Sequence, residues 1–386
     1  MRNYLVAFVI TAAITFVLSW VVWKVAVRFG LHPAIRERDV HKTPTPRLGG
    51  VAMFLGLTAM FILSSQLPAF AILWTEPTRM WALLGAAALI VAVGVADDLL
   101  DLDWLIKLGA QFVAAWIVVG VGGIQIFAVP FGERVVTASW IGISLSILVI
   151  VIVMNAINFI DGLDGLVAGV CLIANAVFFF YAVLMARDFG NSPETNTALF
   201  IAVVVLGVCA GFLPLNWNPA RMFMGDAGAL LLGLMMGASA IVVTGNLSPQ
   251  LLADNDLFGR SQLIGAYIPI ILPIVVVLLP LVDFGLAVIR RMAKGKSPFS
   301  PDRKHMHHRM LDLGHTDRNA VFVFYAWTAI VSLSVLLMYI GTASGWPGLY
   351  WPGVAYLGLG VLACLVVTLP PARRVPGTSP SPKVSS

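Results

Sequence analysis

Carboxylates stand at the ends of apolar segments in this chain, where a charged group needs a partner. Asp97 and Asp98 end one such segment and are followed by Asp101 and Asp103. A charged Asp at the centre of a bilayer costs about 2.5–3.5 kcal/mol, and two adjacent carboxylates repel each other. A divalent cation with phosphate oxygens is the usual partner of such a pair. We therefore predict a cation and phosphate site at Asp97 and Asp98, whereas solvation at the membrane interface also explains Asp101 and Asp103.

A second acidic cluster lies in the segment Asn158–Gly165. A spacing of three places Asn158, Asp161 and Asp164 along one side of a helical turn. Gly162 and the final glycine allow the backbone to approach a ligand closely. An Asp that caps the next helix explains one acid and leaves the other without a role. The segment therefore predicts a ligand-binding turn.

A third cluster precedes another apolar segment, where Asp226 follows Gly225 and lies downstream of Asn216. Taken alone, the Gly-Asp pair is typical of an ordinary helix N-cap. Together with the other two acidic sites, Asp226 is a candidate third metal ligand. Clustered oxygen ligands without thiolates favour Mg²⁺, with Mn²⁺ as the alternative ion. The three cysteines are scattered through apolar runs, and this pattern predicts neither a disulfide nor a zinc site.

Basic side chains form two further clusters. The segment Ser300–Arg309 contains the candidate ligand-binding residues Arg303, His305, His307, His308 and Arg309. Zinc binding is one interpretation of the histidines. An anion site is favoured, because Arg and Lys bind phosphate and His exchanges protons near neutral pH. A solvated basic loop explains the arginines but not three histidines. Lys42, in a Pro-rich turn with Arg47, and Lys107, one turn before Gln111, are weaker candidates, and Lys107 could equally snorkel to the interface.

Membrane helices are the elements that must position these residues. The chain has 386 residues, 59% of them hydrophobic and 11% charged, and its mean hydropathy is +0.93. A soluble domain carries about a quarter charged residues. Nearly continuous apolar runs, such as Val321–Ile340, exclude a β-barrel, whose strands alternate. We predict an all-α polytopic membrane protein with about eleven transmembrane helices, beginning near Tyr4, Gly49, Met80, Ile106, Ser139, Leu166, Thr195, Ala227, Leu263, Ala320 and Tyr350.

The basic residues indicate the orientation of these helices. Of the 24 Lys and Arg residues, 19 fall on one side of the predicted membrane. The positive-inside rule then places the amino terminus outside, the carboxyl terminus in the cytoplasm and every cluster above on the cytoplasmic face. The net charge of +5 is explained in the same way, without a nucleic-acid partner. Residues 1–370 are predicted to form one integral-membrane domain, and residues 371–386, rich in Pro and Ser, a disordered tail.

The motifs together resemble those of the polyprenyl-phosphate N-acetylhexosamine-1-phosphate transferases, glycosyltransferase family 4, over nearly the whole chain. In chain order they are Lys42–Gly50, Asp97–Asp98, Asn158–Gly165, Phe223–Asp226 and His305–Arg309. The resemblance implies transfer of a sugar-1-phosphate from a UDP-aminosugar to a polyprenyl phosphate, undecaprenyl or decaprenyl, with release of UMP and a requirement for Mg²⁺. It also implies a bacterial plasma-membrane enzyme that starts cell-envelope glycan synthesis and forms a dimer.

The resemblance further implies roles for individual residues. Asp97 is either the general base that deprotonates the prenyl phosphate or the nucleophile of a two-step route, and we favour direct attack. Asp98 and Asp226 are the implied Mg²⁺ ligands. Asn216 supports the site, and the nucleotide or metal is positioned by Asn158, Asp161 and Asp164. Asn158 and Asn216 are thus candidate substrate-binding residues. The candidate catalytic residues besides Asp97 are Asp98, Asp161, Asp164, His305, His307 and His308. The sugar-phosphate or pyrophosphate is held by Arg303, His305, His307, His308 and Arg309, with Lys42 and Lys107 nearby.

Two kinds of alternative stay open. The segment His305–Arg309 resembles the branch that uses UDP-GlcNAc rather than UDP-MurNAc-pentapeptide, but no motif excludes other small UDP-aminosugars. An ion-coupled transporter also places acids within its membrane helices. A transporter is disfavoured because the sequence shows no internal repeat and its acids fall at helix ends rather than at the membrane midplane.

Overall fold

The computed structural model describes residues 1–31, 45–127, 129–131, 134–136, 139–190, 192–245, 285, 288–293, 295, 316–343 and 346–368. In these ranges the chain is almost wholly helical. The ten longer helices are α1 (Arg2–Arg28), α2 (Gly49–Gln66), α3 (Pro77–Leu100), α4 (Trp104–Trp116), α5 (Ser139–Phe159), α6 (Leu166–Phe189), α7 (Pro193–Asn216), α8 (Gly225–Gly245), α9 (Asp317–Ala343) and α10 (Tyr350–Thr368).

The helices match the predicted membrane spans closely. Within the described ranges, nine helical segments, α1 to α9, are long and apolar enough to cross a membrane, with α4 extended to Val121 by a π-helical turn. The apolar part of α10, Tyr350–Cys364, is shorter. The span predicted near Leu263 and the tail 371–386 lie outside the described residues. The polytopic helical class is therefore confirmed, whereas the count of eleven, the single domain and the orientation stay predictions.

A short hairpin is the one β element among the described residues, and the all-α prediction did not include it. Strand β1 (Val129–Phe131) pairs antiparallel with β2 (Arg134–Val136), with Pro130 opposite Val135. Each strand has only three residues, which is too short to produce a recognisable alternation of apolar and polar side chains. The hairpin connects α4 to α5 and leaves the helical class unchanged.

Helices α7 and α8 form the centre of the bundle. In the most apolar stretch of each helix, 89% of the residues of α8 and 78% of those of α7 are buried. In α1 the share is 22%. Helix α8 packs against α3 and α5, while α7 packs against α1 and α6. Helix α9 packs against α6 and α10.

Small residues bring two helices close to the start of α8. A Cβ added to Gly50 in α2 would lie 2.3 Å from the backbone nitrogen of Gly228, and one added to Gly94 in α3 would lie 2.4 Å from the Cα of Ala227. In lipid no hydrophobic driving force holds helices together, so membrane helices associate through close packing, which small residues allow. The ends of α2 and α3 are therefore fixed against the first turn of α8, which carries Asp226.

A tight turn reverses the chain between α3 and α4. Asp101 ends α3 in the left-handed conformation, with φ +53°, and Asp103 caps α4 by accepting a hydrogen bond from the backbone N–H of Leu105 at 2.8 Å. Side-chain caps of this kind satisfy amides that have no partner within the helix. The turn brings Lys107, in the first turn of α4, back beside Asp97.

Candidate active site

Lys107 joins carboxylates from two other helices. Its Nζ lies 2.9 Å from Oδ2 of Asp97, at the end of α3, and 3.4 Å from Oδ2 of Asp226, at the start of α8. The Lys107 side chain is 28% exposed and that of Asp97 is 10% exposed. The ammonium therefore contacts two acids at the end of the bundle and offsets part of their charge, a pairing that the snorkelling interpretation does not include.

Asp226 is also held from α5. The side-chain amide of Asn158 donates to Oδ1 of Asp226 at 3.2 Å, while Lys107 contacts the other oxygen. Asp97 is likewise fixed at both oxygens, since the backbone N–H of Leu102 donates to Oδ1 at 2.9 Å. Helices α3, α4, α5 and α8 therefore meet in one polar network.

Asp98, the neighbour of Asp97 in α3, brings a further carboxylate to this network. Oδ2 of Asp98 is buried and has no hydrogen-bond partner among the described residues. It faces Gly225, whose φ of +66° suits glycine, and a Cβ at that position would lie 2.3 Å from the oxygen. A buried carboxylate oxygen without a partner is costly unless a cation offsets it.

Asp161 is a further carboxylate whose burial and acidic neighbours disfavour its charged form. It lies between α5 and α6, where burial and the charges of Asp226 and Asp164 raise its pKa to about 7, although the Arg47 guanidinium opposes the shift. A divalent cation bound between such carboxylates would offset their repulsion, and carboxylate oxygens are ligands that Mg²⁺ accepts. The residues present therefore fit Mg²⁺ through oxygen ligands alone. Among the described residues no three acidic, His or Cys side chains form a complete metal site, so phosphate oxygens or water would have to complete the coordination.

Backbone hydrogen bonds place Arg47 beside these acids. Phe223 N–H donates to the carbonyl of Pro46 at 2.9 Å, and Gly49 N–H donates back to the carbonyl of Phe223 at 3.0 Å. Gly50 N–H donates to the carbonyl of Met224 at 2.9 Å. The Pro-rich turn before α2 is thus joined to the segment that leads to Asp226. Sequence reasoning mentioned Arg47 only as a weak candidate, although its charge acts on the site.

Asp164 and Asn216 brace the acidic turn from inside the protein. Oδ2 of Asp164, a 5% exposed residue, accepts hydrogen bonds from the side-chain amide of Asn218 and the backbone N–H of Ala220, both at 3.0 Å. Asn216 accepts from Gly165 N–H at 3.1 Å and donates to the carbonyl of Met222 at 3.0 Å. These contacts give both residues a positioning role. Catalysis by Asp164 and substrate contact by Asn216 stay predictions.

The structure brings the described part of the predicted site together. Eight of the predicted residues lie at one end of the bundle, namely Asp97, Asp98, Lys107, Asn158, Asp161, Asp164, Asn216 and Asp226. The other six lie outside the described residues, namely Lys42, Arg303, His305, His307, His308 and Arg309.

Sequence reasoning missed several supporting contacts. In the membrane helices, Asn155 of α5 donates to Gln111 of α4, a contact that extends the network one turn beyond Lys107. Asn218 contacts Asp164, and Arg318 donates to Asn218. The spacing of Gln111 after Lys107 was a usable signal. No sequence signal paired Asn218 with a residue 100 positions away.

Comparison with known proteins gives one consistent result. Residues 80–244 match the model of glycosyl transferase family 4. The chain is 38% identical over 372 residues to the decaprenyl-phosphate N-acetylglucosaminephosphotransferase of Mycolicibacterium smegmatis. The aligned region covers 95% of this chain and 88% of that protein. It is 31% identical over 339 residues to a probable undecaprenyl-phosphate N-acetylglucosaminyl 1-phosphate transferase of Bacillus subtilis, covering 88% and 86% of the two chains. It is 26% identical over 330 residues to the undecaprenyl-phosphate alpha-N-acetylglucosaminyl 1-phosphate transferase of Escherichia coli K12, covering 84% and 81%.

Proposed function

Because the chain belongs to glycosyl transferase family 4, we propose that it transfers N-acetylglucosamine-1-phosphate to a polyprenyl phosphate in a bacterial membrane. Relatives of 38% and 31% identity, matched over most of their length, carry this activity in their names. The observation in the fold that carries the proposal is the position of Lys107, between Asp97 and Asp226 at the end of the bundle. A phosphoryl-transfer site needs such a concentration of fixed charge where a lipid headgroup and a water-soluble donor can meet.

The donor that fits this reaction is UDP-N-acetylglucosamine. A phosphate oxygen of the acceptor lipid would attack the sugar-linked phosphorus of the donor. The bond from that phosphorus to the bridging oxygen would break, releasing UMP and leaving a polyprenyl pyrophosphate linked to the sugar. The reactants are strongly anionic, so Lys107 and Arg47 supply positive charge that lowers the repulsion between them.

Asp97 is the proposed general base. Its two oxygens are held by Leu102 N–H and Lys107 Nζ, so the carboxylate keeps one orientation as the acceptor phosphate approaches. A fixed base within reach of a phosphate O–H takes up its proton as the new P–O bond forms. The two-step alternative makes Asp97 the nucleophile instead and requires a covalent sugar-phosphate intermediate on this residue.

Mg²⁺ is the proposed cofactor, held by Asp98 and Asp226. When bound, the ion would neutralise the donor pyrophosphate and stabilise the leaving UMP. The buried Oδ2 of Asp98 and the raised pKa of Asp161 support this assignment. Asn158 orients Asp226, and Gly225 leaves the space beside Asp98 open.

We place the active site on the cytoplasmic face of the plasma membrane. The basic residues of the sequence support this orientation, because most of them fall on the side that carries the acidic clusters. A UDP-sugar is made in the cytoplasm, so the donor would reach the site from that side, and the lipid acceptor would enter laterally from the bilayer. The dimer implied by the family resemblance stays a prediction.

A donor panel tests the proposal. The purified protein in lipid nanodiscs is incubated with undecaprenyl or decaprenyl phosphate, Mg²⁺ and one donor at a time: UDP-GlcNAc, UDP-GalNAc or UDP-MurNAc-pentapeptide. We expect UMP release with UDP-GlcNAc only when the acceptor lipid is present. Release with UDP-MurNAc-pentapeptide alone would overturn the donor assignment. Lack of release with every donor, together with ion-dependent solute flux in proteoliposomes, would favour the transporter alternative.

A further inference from the structure

Helix α9 presents one polar and aromatic face to the acidic turn. Arg318, Phe322 and Tyr325 are spaced at i, i+4 and i+7, so they lie along one side of the helix. All three contact residues that flank Asp164, either in the loop after α7 or at the start of α6. We call this set the α9 face.

Each residue of the α9 face makes a specific contact. The Arg318 guanidinium donates from Nε to Oδ1 of Asn218 at 3.1 Å and from Nη2 to the backbone carbonyl of Asn218 at 3.0 Å. The Phe322 ring meets Trp217 edge to face, with centroids 5.9 Å apart. The Tyr325 hydroxyl donates to the backbone carbonyl of Gly165. Two of these four contacts are with backbone carbonyls, so a side-chain substitution in the partner would not remove the acceptor.

Glycines make the Tyr325 contact possible. A Cβ added to Gly169 would lie 2.0 Å from the Tyr325 hydroxyl oxygen, so α9 approaches α6 closely at this point. Gly165 has a φ of +76°, a conformation that suits glycine, and it begins α6. The fit of Tyr325 therefore depends on two glycines of the acidic turn and the helix that follows it.

The same turn is also held from the side of α7. Gly165 N–H donates to Asn216, and Asn218, which Arg318 grips, donates in turn to Asp164. The α9 face thus holds the carbonyl oxygen of Gly165 and Oδ1 of Asn218. Asn216 and Asp164 accept from the donors of the same two residues, the Gly165 N–H and the Asn218 side-chain amide. The turn carries Asp161. Its burial and the negative charge of Asp226 raise the pKa of Asp161.

We propose that Tyr325 and Arg318 are positioning residues, which fix the acidic turn from Asp161 to Gly165 against Asn218 and so hold Asp161 and Asp164 in the site. This inference rests on the proposed function. Among the described residues, the hydrogen bonds of the two side chains go to Asn218 and Gly165 rather than to Asp97, Asp98 or Asp226. A misplacement of about 1 Å in a catalytic group can cost about 100-fold in rate, so loss of one fixing contact affects turnover beyond any loss of stability.

The test compares two tyrosines on the same helix. Tyr325→Phe removes only the hydroxyl that contacts Gly165. Tyr339→Phe is the matched control, because the Tyr339 hydroxyl is also engaged, by Asp188 at 3.2 Å and the Met185 sulfur at 3.3 Å, but far along α9 from the acidic turn. Arg318→Lys is a second test variant that keeps the charge and loses the two-point contact.

We expect Tyr325→Phe and Arg318→Lys to lower kcat/KM for the UDP-sugar about 10-fold and to leave KM for the polyprenyl phosphate unchanged. For Tyr339→Phe we expect kcat/KM for the UDP-sugar and KM for the polyprenyl phosphate to stay within about two-fold of the wild-type values. Its melting temperature should be similar to that of the wild type. In hydrogen–deuterium exchange, peptides covering residues 158–166 should exchange faster in Tyr325→Phe and not in Tyr339→Phe.

Three outcomes would overturn the inference. These are equal loss of activity in the two Tyr→Phe variants, a parallel rise of KM for both substrates, or unchanged exchange in residues 158–166 of Tyr325→Phe. If the wild type transfers no sugar-phosphate while Tyr325→Phe still speeds exchange in that turn, the proposed function fails and the positioning contact stands.

Discussion

The Lys107 ammonium lies 3.4 Å from the carboxylate of Asp226, a residue 119 positions later in the chain. Because Lys107 also contacts Asp97 at 2.9 Å, one cation holds together the end of α3, the start of α4 and the start of α8. The start of α8, distant in the sequence, thus joins the turn between α3 and α4 in a single charged site.

Replacing Lys107 is expected to abolish most activity while the protein still folds. Lys107→Gln leaves Asp97 and Asp226 without their shared cation and removes positive charge from the site, so we expect kcat to fall about 100-fold or more. Lys24→Gln is the control, because Lys24 is a second lysine near a helix end and lies over the rings of Trp20 and Trp23 instead. Initial rates of UMP release measure both. Equal rates in Lys107→Gln and the wild type would contradict the role given to this residue.

Gly225 is expected to tolerate no side chain. Gly225→Ala would put a Cβ 2.3 Å from Oδ2 of Asp98 and force alanine into a left-handed conformation that costs about 1–2 kcal/mol. We expect loss of transfer activity and a lower melting temperature. Gly109→Ala in α4 is the matched control, because no atom lies within 4 Å of a Cβ there, and it should match the wild type. A fully active Gly225→Ala would show that the space beside Asp98 has no role.

The two proposed metal ligands should govern the Mg²⁺ requirement. In Asp98→Asn and Asp226→Asn, we expect the Mg²⁺ concentration that gives half-maximal activity to rise at least about 10-fold, because each loses a charged oxygen ligand. Asp103→Asn removes a charge from the same end of the bundle but keeps a good helix N-cap, so its Mg²⁺ curve should match the wild type. An unchanged Mg²⁺ requirement together with full activity in Asp226→Asn would refute the metal assignment.

Asp161 should make the metal-free protein less stable as the pH rises. Its pKa of about 7 in the folded state lies above the ordinary value of 3.8, so the folded state holds the proton more tightly than the unfolded state. Stability is therefore lost between about pH 4 and pH 7. In EDTA, Asp161→Asn should melt higher than the wild type at pH 8 and equally at pH 4, and Mg²⁺ should narrow the difference. Asp164→Asn should not show this gain, since Asp164 accepts two hydrogen bonds. A melting difference for Asp161→Asn that does not depend on pH would contradict this account of the charge balance.

The sequence predicted what depends on composition and local spacing. Apolar runs predicted the starts of α2, α5 and α6 at the residues where they begin. The crowding of Asp97 and Asp98 beside an apolar helix predicted that these charges need specific partners, and Asp97 has two, Leu102 N–H and Lys107. Their catalytic role stays a prediction. For Asp103 the sequence allowed both solvation at the membrane interface and a role in the site. In the structure Asp103 is the N-cap of α4.

Contacts between distant segments could not be predicted in the same way. Lys107 had two interpretations until the turn at Asp101 was seen to place it beside Asp97. The substrate contact predicted for Asn216 stays a prediction, and no local pattern indicated the hydrogen bonds of its amide with the backbone of Gly165 and Met222. The α9 face was missed because a Tyr and a Phe in an apolar helix look the same in sequence whether they contact lipid or a backbone carbonyl. Such pairings arise from tertiary packing, which local patterns do not encode.

We propose that the site at Asp97, Lys107 and Asp226 joins a sugar-phosphate to a lipid phosphate. The most direct measurement follows UDP-GlcNAc that carries a label on its sugar-linked phosphate, with purified protein in nanodiscs containing decaprenyl phosphate and Mg²⁺. We expect one UMP for each labelled lipid pyrophosphate formed, and neither product in Lys107→Gln. Label released as free GlcNAc-1-phosphate or as inorganic phosphate, or UMP formed without the acceptor lipid, would contradict this proposal.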